Sequence, residues 1–151
     1  MKISKRFVFP VLVMIAGLGV FVSAQDKKPA MKAKPPAAKV FFVEPKAGTI
    51  VSSPVHMKFG SSGVEIGAVP PGDVTTVRPG IAHYHVGVGV SCLQAGKNIV
   101  KGTPSWVHFG DGKSEIDMQL TPGRHRLALQ LGDDLHNTLT GACQMITVTV
   151  K

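Results

Sequence analysis

Short runs in which hydrophobic and polar residues alternate are the main pattern of residues 40–151. Val55, Met57 and Phe59 alternate with His56 and Lys58. The same period of two recurs at 84–90, 116–120, 127–131 and 146–150, and a short apolar run stands at 39–43. Successive side chains of a β-strand point to opposite faces, so this period is typical of half-buried strands. No part of residues 40–151 shows a sustained helical period.

Clusters of glycine, proline and serine separate these runs. They stand at 52–54, 60–63, 70–73, 79–80, 110–112 and 121–123, and such residues favour turns. About seven short strands predict an all-β domain, a small antiparallel β-sandwich of the immunoglobulin-like kind. A barrel is the alternative that the pattern leaves open. The longest stretch without a strand signal, 60–82, is predicted to be a loop.

The first 24 residues have the layout of a secretory signal peptide. Lys2, Lys5 and Arg6 precede an apolar run at 7–22, which ends in small residues at Ala24. A retained membrane anchor is the alternative, but spanning helices need about 20 apolar residues and this run also contains proline and glycine. We therefore expect a signal peptide at 1–24 and an exported protein, either periplasmic or secreted.

Residues 25–39 (QDKKPAMKAKPPAAK) are predicted to be a disordered linker, because lysine, proline and alanine offer little to bury. The linker changes how the net charge of +8 is interpreted. Residues 40–151 hold nine basic and eight acidic residues, so this single predicted domain is nearly neutral. The charge gives no case for nucleic-acid binding, and membrane contact is expected only through the signal peptide or the basic linker.

Two cysteines, Cys92 and Cys143, occur in the predicted domain. Export places them in an oxidising compartment, where a disulfide is the expected state. A zinc or copper thiolate site is the alternative. It is disfavoured because the pair lacks CxxC spacing.

Four of the six histidines stand where predicted strands begin or end. His83 and His85 lie one residue apart in the run RPGIAHYHVGVGV, so they share the face opposite Tyr84. His108 is predicted to point outward from a short strand at 105–110, and His136 follows the acidic segment GDDL. If these ends meet, a zinc or copper(II) site is predicted with the ligand set His83, His85, His108, His136 and Asp133.

The alternative is that these histidines have a purely structural role, because a pair of HxH spacing occurs often by chance. His56 and His125 are not ligand candidates, since each lies beside basic residues. No catalytic residue stands out: the chain has no GxSxG elbow, and its carboxylates at 111–117 surround a glycine turn. We therefore expect a domain that is not an enzyme.

The motifs resemble the DUF4399 family of exported bacterial domains, whose activity is not established. The resemblance covers 40–150 and is carried by EPKxGxxVxSPVxxKFG, by HFGxGxxE and by LxPGxHxLxLxLGD. It implies a shared polar site at His83, His85, His108, Asp133 and His136. The chain departs from the family pattern at Tyr84, Trp106 and Asp134, where the family often has histidine. The paired cysteines are not part of that pattern.

Together these patterns predict an exported, non-enzymatic domain that binds zinc, copper or a small polar ligand at a histidine cluster. The alternative is a structural or interaction module of the cell envelope with an envelope partner. In that case the histidines would serve only to support the fold.

Overall fold

The computed structural model describes residues 37–151. The predicted signal peptide and the linker up to residue 36 lie outside these residues. The described part contains nine strands: β1 Lys39–Glu44, β2 Ile50–Val51, β3 Val55–Ser62, β4 Glu65–Ile66, β5 Ile81–Val88, β6 Trp106–His108, β7 Glu115–Met118, β8 Gly123–Gly132 and β9 Thr138–Val150. Within it, no helix has the length and hydrophobicity needed to cross a membrane.

The strands form two sheets. The first has the order β1-β3-β7 and is antiparallel. The second has the order β2-β9-β8-β5-β4, and β6 pairs with the same edge of β5 as β4 does. Only the β2–β9 and β4–β5 pairs of the described strands are parallel. The all-β prediction is confirmed and the arrangement is sandwich-like, with nine strands rather than about seven; the immunoglobulin-like assignment stays a prediction.

The core lies between the sheets and is built by the alternation visible in the sequence. In β3, Val55, Met57 and Phe59 are buried, whereas His56 and Lys58 are exposed. From the second sheet, Tyr84, Val86, Leu127, Leu129 and Leu131 enter the same core. Burial of each large aliphatic or aromatic side chain contributes roughly 1.5–3 kcal/mol. The core therefore fixes which face of β5 and β8 points inward.

Strands β3 and β9 are longer than the alternation indicates. β3 continues to Ser62 and β4 pairs with β5, so the loop predicted at 60–82 is shorter than expected. β4 is held by backbone hydrogen bonds from Glu65 N to the carbonyl of Gly80 (2.8 Å) and from Gly67 N to the carbonyl of Ala82 (3.0 Å). Backbone bonds of this kind leave no side-chain period in the sequence. β9 likewise begins well before the predicted run at 146–150, because its first half has no regular burial pattern.

The face of the second sheet that points away from the core is covered by residues 91–101, which we call the cover segment. Cys92 at its start is joined to Cys143 of β9 by the predicted disulfide. The amide of Gln130 also holds this segment, accepting from Leu93 N (2.9 Å) and donating to the carbonyl of Leu93 (2.8 Å). Gln130 pairs across the sheet with His85 and with Cys143, so all three lie on the covered face.

Candidate metal centre

β5 places two imidazoles on the covered face. Tyr84 and Val86 point into the core, so the intervening His83 and His85 point the other way, as the alternation predicts. Both are nevertheless almost fully buried, with exposed fractions of 0% and 1%. Their burial comes from chain segments that pack over the sheet, which the strand pattern does not reveal.

The third histidine reaches the cluster through strand pairing. β6 lies antiparallel beside β5, with His108 directly opposite His85 and Val107 opposite Val86. Val107 packs against the core, so His108 projects onto the same face as His85. Gly110 leaves space for the His108 ring, because a Cβ at that position would overlap it.

The fourth histidine is supplied by the turn between β8 and β9. His136 has φ of 66°, the only positive φ of a non-glycine residue within 37–151. The carboxylate of Asp133 holds this turn by accepting from Leu135 N and Asn137 N, each at 2.9 Å. A left-handed backbone at such a residue costs of order 1–3 kcal/mol, and such residues concentrate at functional sites. The turn therefore keeps His136 in a conformation that local preference disfavours.

The cover segment is bonded to the same turn. Ile99 N donates to the carbonyl of His136 (2.8 Å), and Asn98 Nδ2 donates to the carbonyl of Leu135 (2.7 Å). Ile99 is itself 1% exposed although it lies outside the main core. It therefore helps to exclude water from the covered face.

β5, β6 and the turn between β8 and β9 bring the imidazoles of His83, His85, His108 and His136 together. One ring nitrogen from each can be chosen so that all four lie within 4.8 Å of one another. Nε2 of His108 and Nε2 of His136 are 2.9 Å apart and share a hydrogen bond. Gly132 contributes space, since a Cβ there would lie 2.7 Å from Cε1 of His85. The arrangement suits a single ion at the centre of the group.

The two deepest histidines lack hydrogen-bond partners. Both ring nitrogens of His83 and both of His85 are buried and unpaired. Leaving a buried polar group unpaired costs about 1–3 kcal/mol, and most such groups in native proteins are paired. An ion at the centre would give one nitrogen of each ring a partner.

The pKa values of all four histidines are below the ordinary value. Burial, together with the neighbouring histidines, lowers the pKa of His83 to about 3 and that of His85 to about 2. Burial is also the main cause of the lowered pKa of His108 and of His136, and the charge of Lys101 acts in the same direction. The four imidazoles are therefore neutral near pH 7, the form that binds a metal ion.

Comparison with known protein families identifies the domain. Residues 57–151 match the family model of a domain of unknown function, DUF4399. The chain belongs to the DUF4399 family. No curated protein and no solved structure matches it. The match begins in β3 and contains all four clustered histidines and both cysteines, so the candidate site of this DUF4399 domain lies wholly in the matched part.

An ion pair between a buried carboxylate and a half-exposed arginine lies beside the cluster and was not anticipated from the sequence. Asp134 is 2% exposed, and Arg78 donates to it from its backbone N (2.9 Å), Nε (3.0 Å) and Nη2 (2.7 Å). These bonds lower the pKa of Asp134 to about 2. The carboxylate lies near enough to His83 to act on its pKa. The two residues are 56 positions apart, and no spacing rule connects them.

The other residues considered from the sequence lie elsewhere in the DUF4399 domain. Asp133 is outside the group of four ligand atoms, because its carboxylate is bonded to the backbone of the turn. His56 and Asp117 both lie on the first sheet and pair with each other (2.8 Å). His125 is bonded to the carbonyl of Thr121 (2.7 Å). The histidines thus divide into four that meet and two that do not.

Proposed function

We propose that this DUF4399 domain binds one zinc or copper ion in the cell envelope and is not itself an enzyme. The ligands are His83, His85, His108 and His136. The observation that carries the proposal is the set of four unpaired ring nitrogens on two fully buried histidines, facing two further imidazoles. A buried cluster of this kind is costly to fold unless something occupies its centre.

The spacing of the ring nitrogens supports one ion. Metal–nitrogen bonds of about 2.0–2.1 Å place neighbouring ligand atoms roughly 3 Å apart and opposite ones about 4 Å apart. The 2.9 Å between the Nε2 atoms of His108 and His136 suits neighbouring positions. The span of up to 4.8 Å would close by about 1 Å between opposite ligands of a square-planar copper(II) site, and by about 1.5 Å in a tetrahedral zinc site, where all ligand nitrogens lie about 3.3 Å apart.

The donor set supports zinc or copper over other metals. All four donors are imidazole nitrogens, which suit zinc and copper, whereas magnesium and calcium prefer oxygen. The only oxygen ligand predicted from the sequence, Asp133, instead supports His136 by holding the turn backbone. Substitution of that carboxylate would weaken binding only indirectly.

The predicted export fits this role. The Cys92–Cys143 disulfide is in keeping with an oxidising compartment, such as the periplasm or the exterior. The disulfide and the metal ligands are parts of one unit, because Cys143 and His85 both pair with Gln130.

Isothermal titration calorimetry on purified protein freed of metal by a chelator tests the proposal. We expect one zinc or copper(II) ion to bind with a Kd below about 10 μM, or roughly 7 kcal/mol of binding free energy. The His83→Gln/His85→Gln variant should lose this binding. The matched His56→Gln/His125→Gln variant should keep it. Equal binding by native protein and the first variant, or no saturable binding by native protein, would contradict the proposal.

The hydrogen bond between His108 and His136 favours a second candidate, a structural module in which the histidines brace the turn. In that case neither metal would change the melting temperature. A His108→Ala substitution would still destabilise the fold, because His136 would lose its partner. A metal-induced rise in melting temperature that the His108→Ala variant lacks would exclude the purely structural role.

A further inference from the structure

A cleft opens beside the histidine cluster. It has a volume of about 440 Å³, and its walls include Asn98, Lys101, Asp134 and His136, together with the loop between β4 and β5. Lys101, at the end of the cover segment, is exposed, whereas His83 and His85 are buried. The cleft therefore reaches the cluster from the side of His136.

Most charges near the cluster are already compensated. Asp134 is paired with Arg78 at 2.7 Å, and Asp111 is paired with Lys113 at 2.8 Å. The carboxylate of Asp133 accepts backbone hydrogen bonds within its own turn. These groups leave little negative charge free to balance an ion held by neutral imidazoles.

Lys101 is the exception among these charges. Within residues 37–151 it makes no ion pair and no side-chain hydrogen bond. Its ammonium group acts on three members of the cluster, lowering the pKa of His83, His108 and His136. Asp73 lines the same cleft but is not among the charges that act on these histidines.

We propose that the bound metal takes a small anion as an additional ligand, which enters through this cleft and is held by Lys101. The inference rests on the proposed function. Four neutral imidazoles leave a divalent ion with its full charge at a largely buried site, and an uncompensated buried charge is costly. An anion between the metal and Lys101 would be attracted by both.

The cleft is large enough to admit a small anion. Its volume of about 440 Å³ is near the lower end of pockets that hold small molecules. The expected class is an anion with a single donor atom free to reach the metal, from azide or hydroxide up to a small carboxylate. Lysine acts as a point charge and imposes little geometry, so it would tolerate this range.

The test uses copper(II)-loaded protein titrated with sodium azide at constant ionic strength, with the azide-to-copper charge-transfer absorption as the readout. We expect a saturable band for the native protein. Lys101→Met should bind copper as before but bind azide about fivefold more weakly, which corresponds to about 1 kcal/mol. Lys97→Met, in the same cover segment but outside the cleft, should match the native protein. Competition by acetate would extend the ligand class to carboxylates.

The outcomes separate the two proposals. Copper binding without an azide band would overturn the inference and leave the metal site intact. Equal azide affinity in Lys101→Met and native protein would also overturn it, because the lysine would then play no part. Failure of both zinc and copper to bind in calorimetry would overturn both proposals together.

Discussion

Acidification should destabilise the metal-free protein through its two deepest histidines. In the folded protein the pKa of His83 is about 3 and that of His85 about 2, against an ordinary value of 6.5. Between these values the unfolded chain binds a proton at each position and the folded protein does not. The two neutral imidazoles therefore cost no stability above about pH 6.5. The cost grows as the pH falls from there toward about 3, so the free energy of unfolding decreases over this range.

The magnitude follows from the same values. At pH 5, about 1.5 pH units below the unfolded pKa, each of the two neutral imidazoles costs about 2 kcal/mol, so the pair costs about 4 kcal/mol. The lowered pKa values of His108 and His136 act in the same direction. Asp134 does not interfere, because its pKa is lowered from 3.8 and its contribution is lost only below about that pH.

Urea unfolding at pH 7 and pH 5, followed by Trp106 fluorescence in the presence of a chelator, measures this loss. The His83→Gln/His85→Gln variant should lose most of the dependence, whereas His56→Gln/His125→Gln should retain it. A free energy of unfolding that changes by less than about 1 kcal/mol between the two pH values would refute the reasoning. So would an equal change in the first variant and the native protein.

Three further predictions concern the surroundings of the site. Arg78→Ala should lower the free energy of unfolding by about 1–3 kcal/mol in urea, because Asp134 would lose the two hydrogen bonds from a half-exposed side chain and keep the one from the backbone N of residue 78. Arg78→Ala/Asp134→Ala should recover part of this loss, and a single variant as stable as the native protein would contradict the argument. Gly132→Ala should lower the free energy of unfolding by about 1–3 kcal/mol and weaken zinc binding in calorimetry, since its Cβ would lie 2.7 Å from the His85 ring. Unchanged stability and affinity would show that the ring can move aside. Reduction of the disulfide, which spans 51 residues, should lower the free energy of unfolding by about 4 kcal/mol in the chain-entropy model. The melting temperature should therefore be lower with reductant present, and equal melting temperatures would contradict the prediction.

The members of the histidine cluster could be predicted from the sequence because their meeting depends on where strands begin and end. HxH spacing places His83 and His85 on one face of any strand. His108 and His136 were predicted only on the condition that their strand ends meet. The pairing of β6 with β5 and the turn between β8 and β9 fulfil that condition. Asp133 was predicted by its proximity in sequence, but the turn uses its carboxylate for backbone hydrogen bonds.

The burial of the cluster could not be predicted from the sequence in the same way. A strand histidine opposite a core residue is expected to be exposed, yet His83 and His85 are buried. The cover segment is held by Gln130 and by the bond from Ile99 N to His136. Contacts of this kind join positions far apart in the chain, so no local sequence pattern predicts them.

The sequence by itself determined the class of fold and the inward face of each main strand, because a period of two follows from the geometry of any strand. It also determined that His83 and His85 would share a face opposite Tyr84. Only the tertiary structure decided that four imidazoles meet, that water is excluded from two of them, and that Arg78 pairs with Asp134 beside them. The physical reason is that alternation is a local property, whereas convergence and burial depend on register, turn conformation and packing between distant segments.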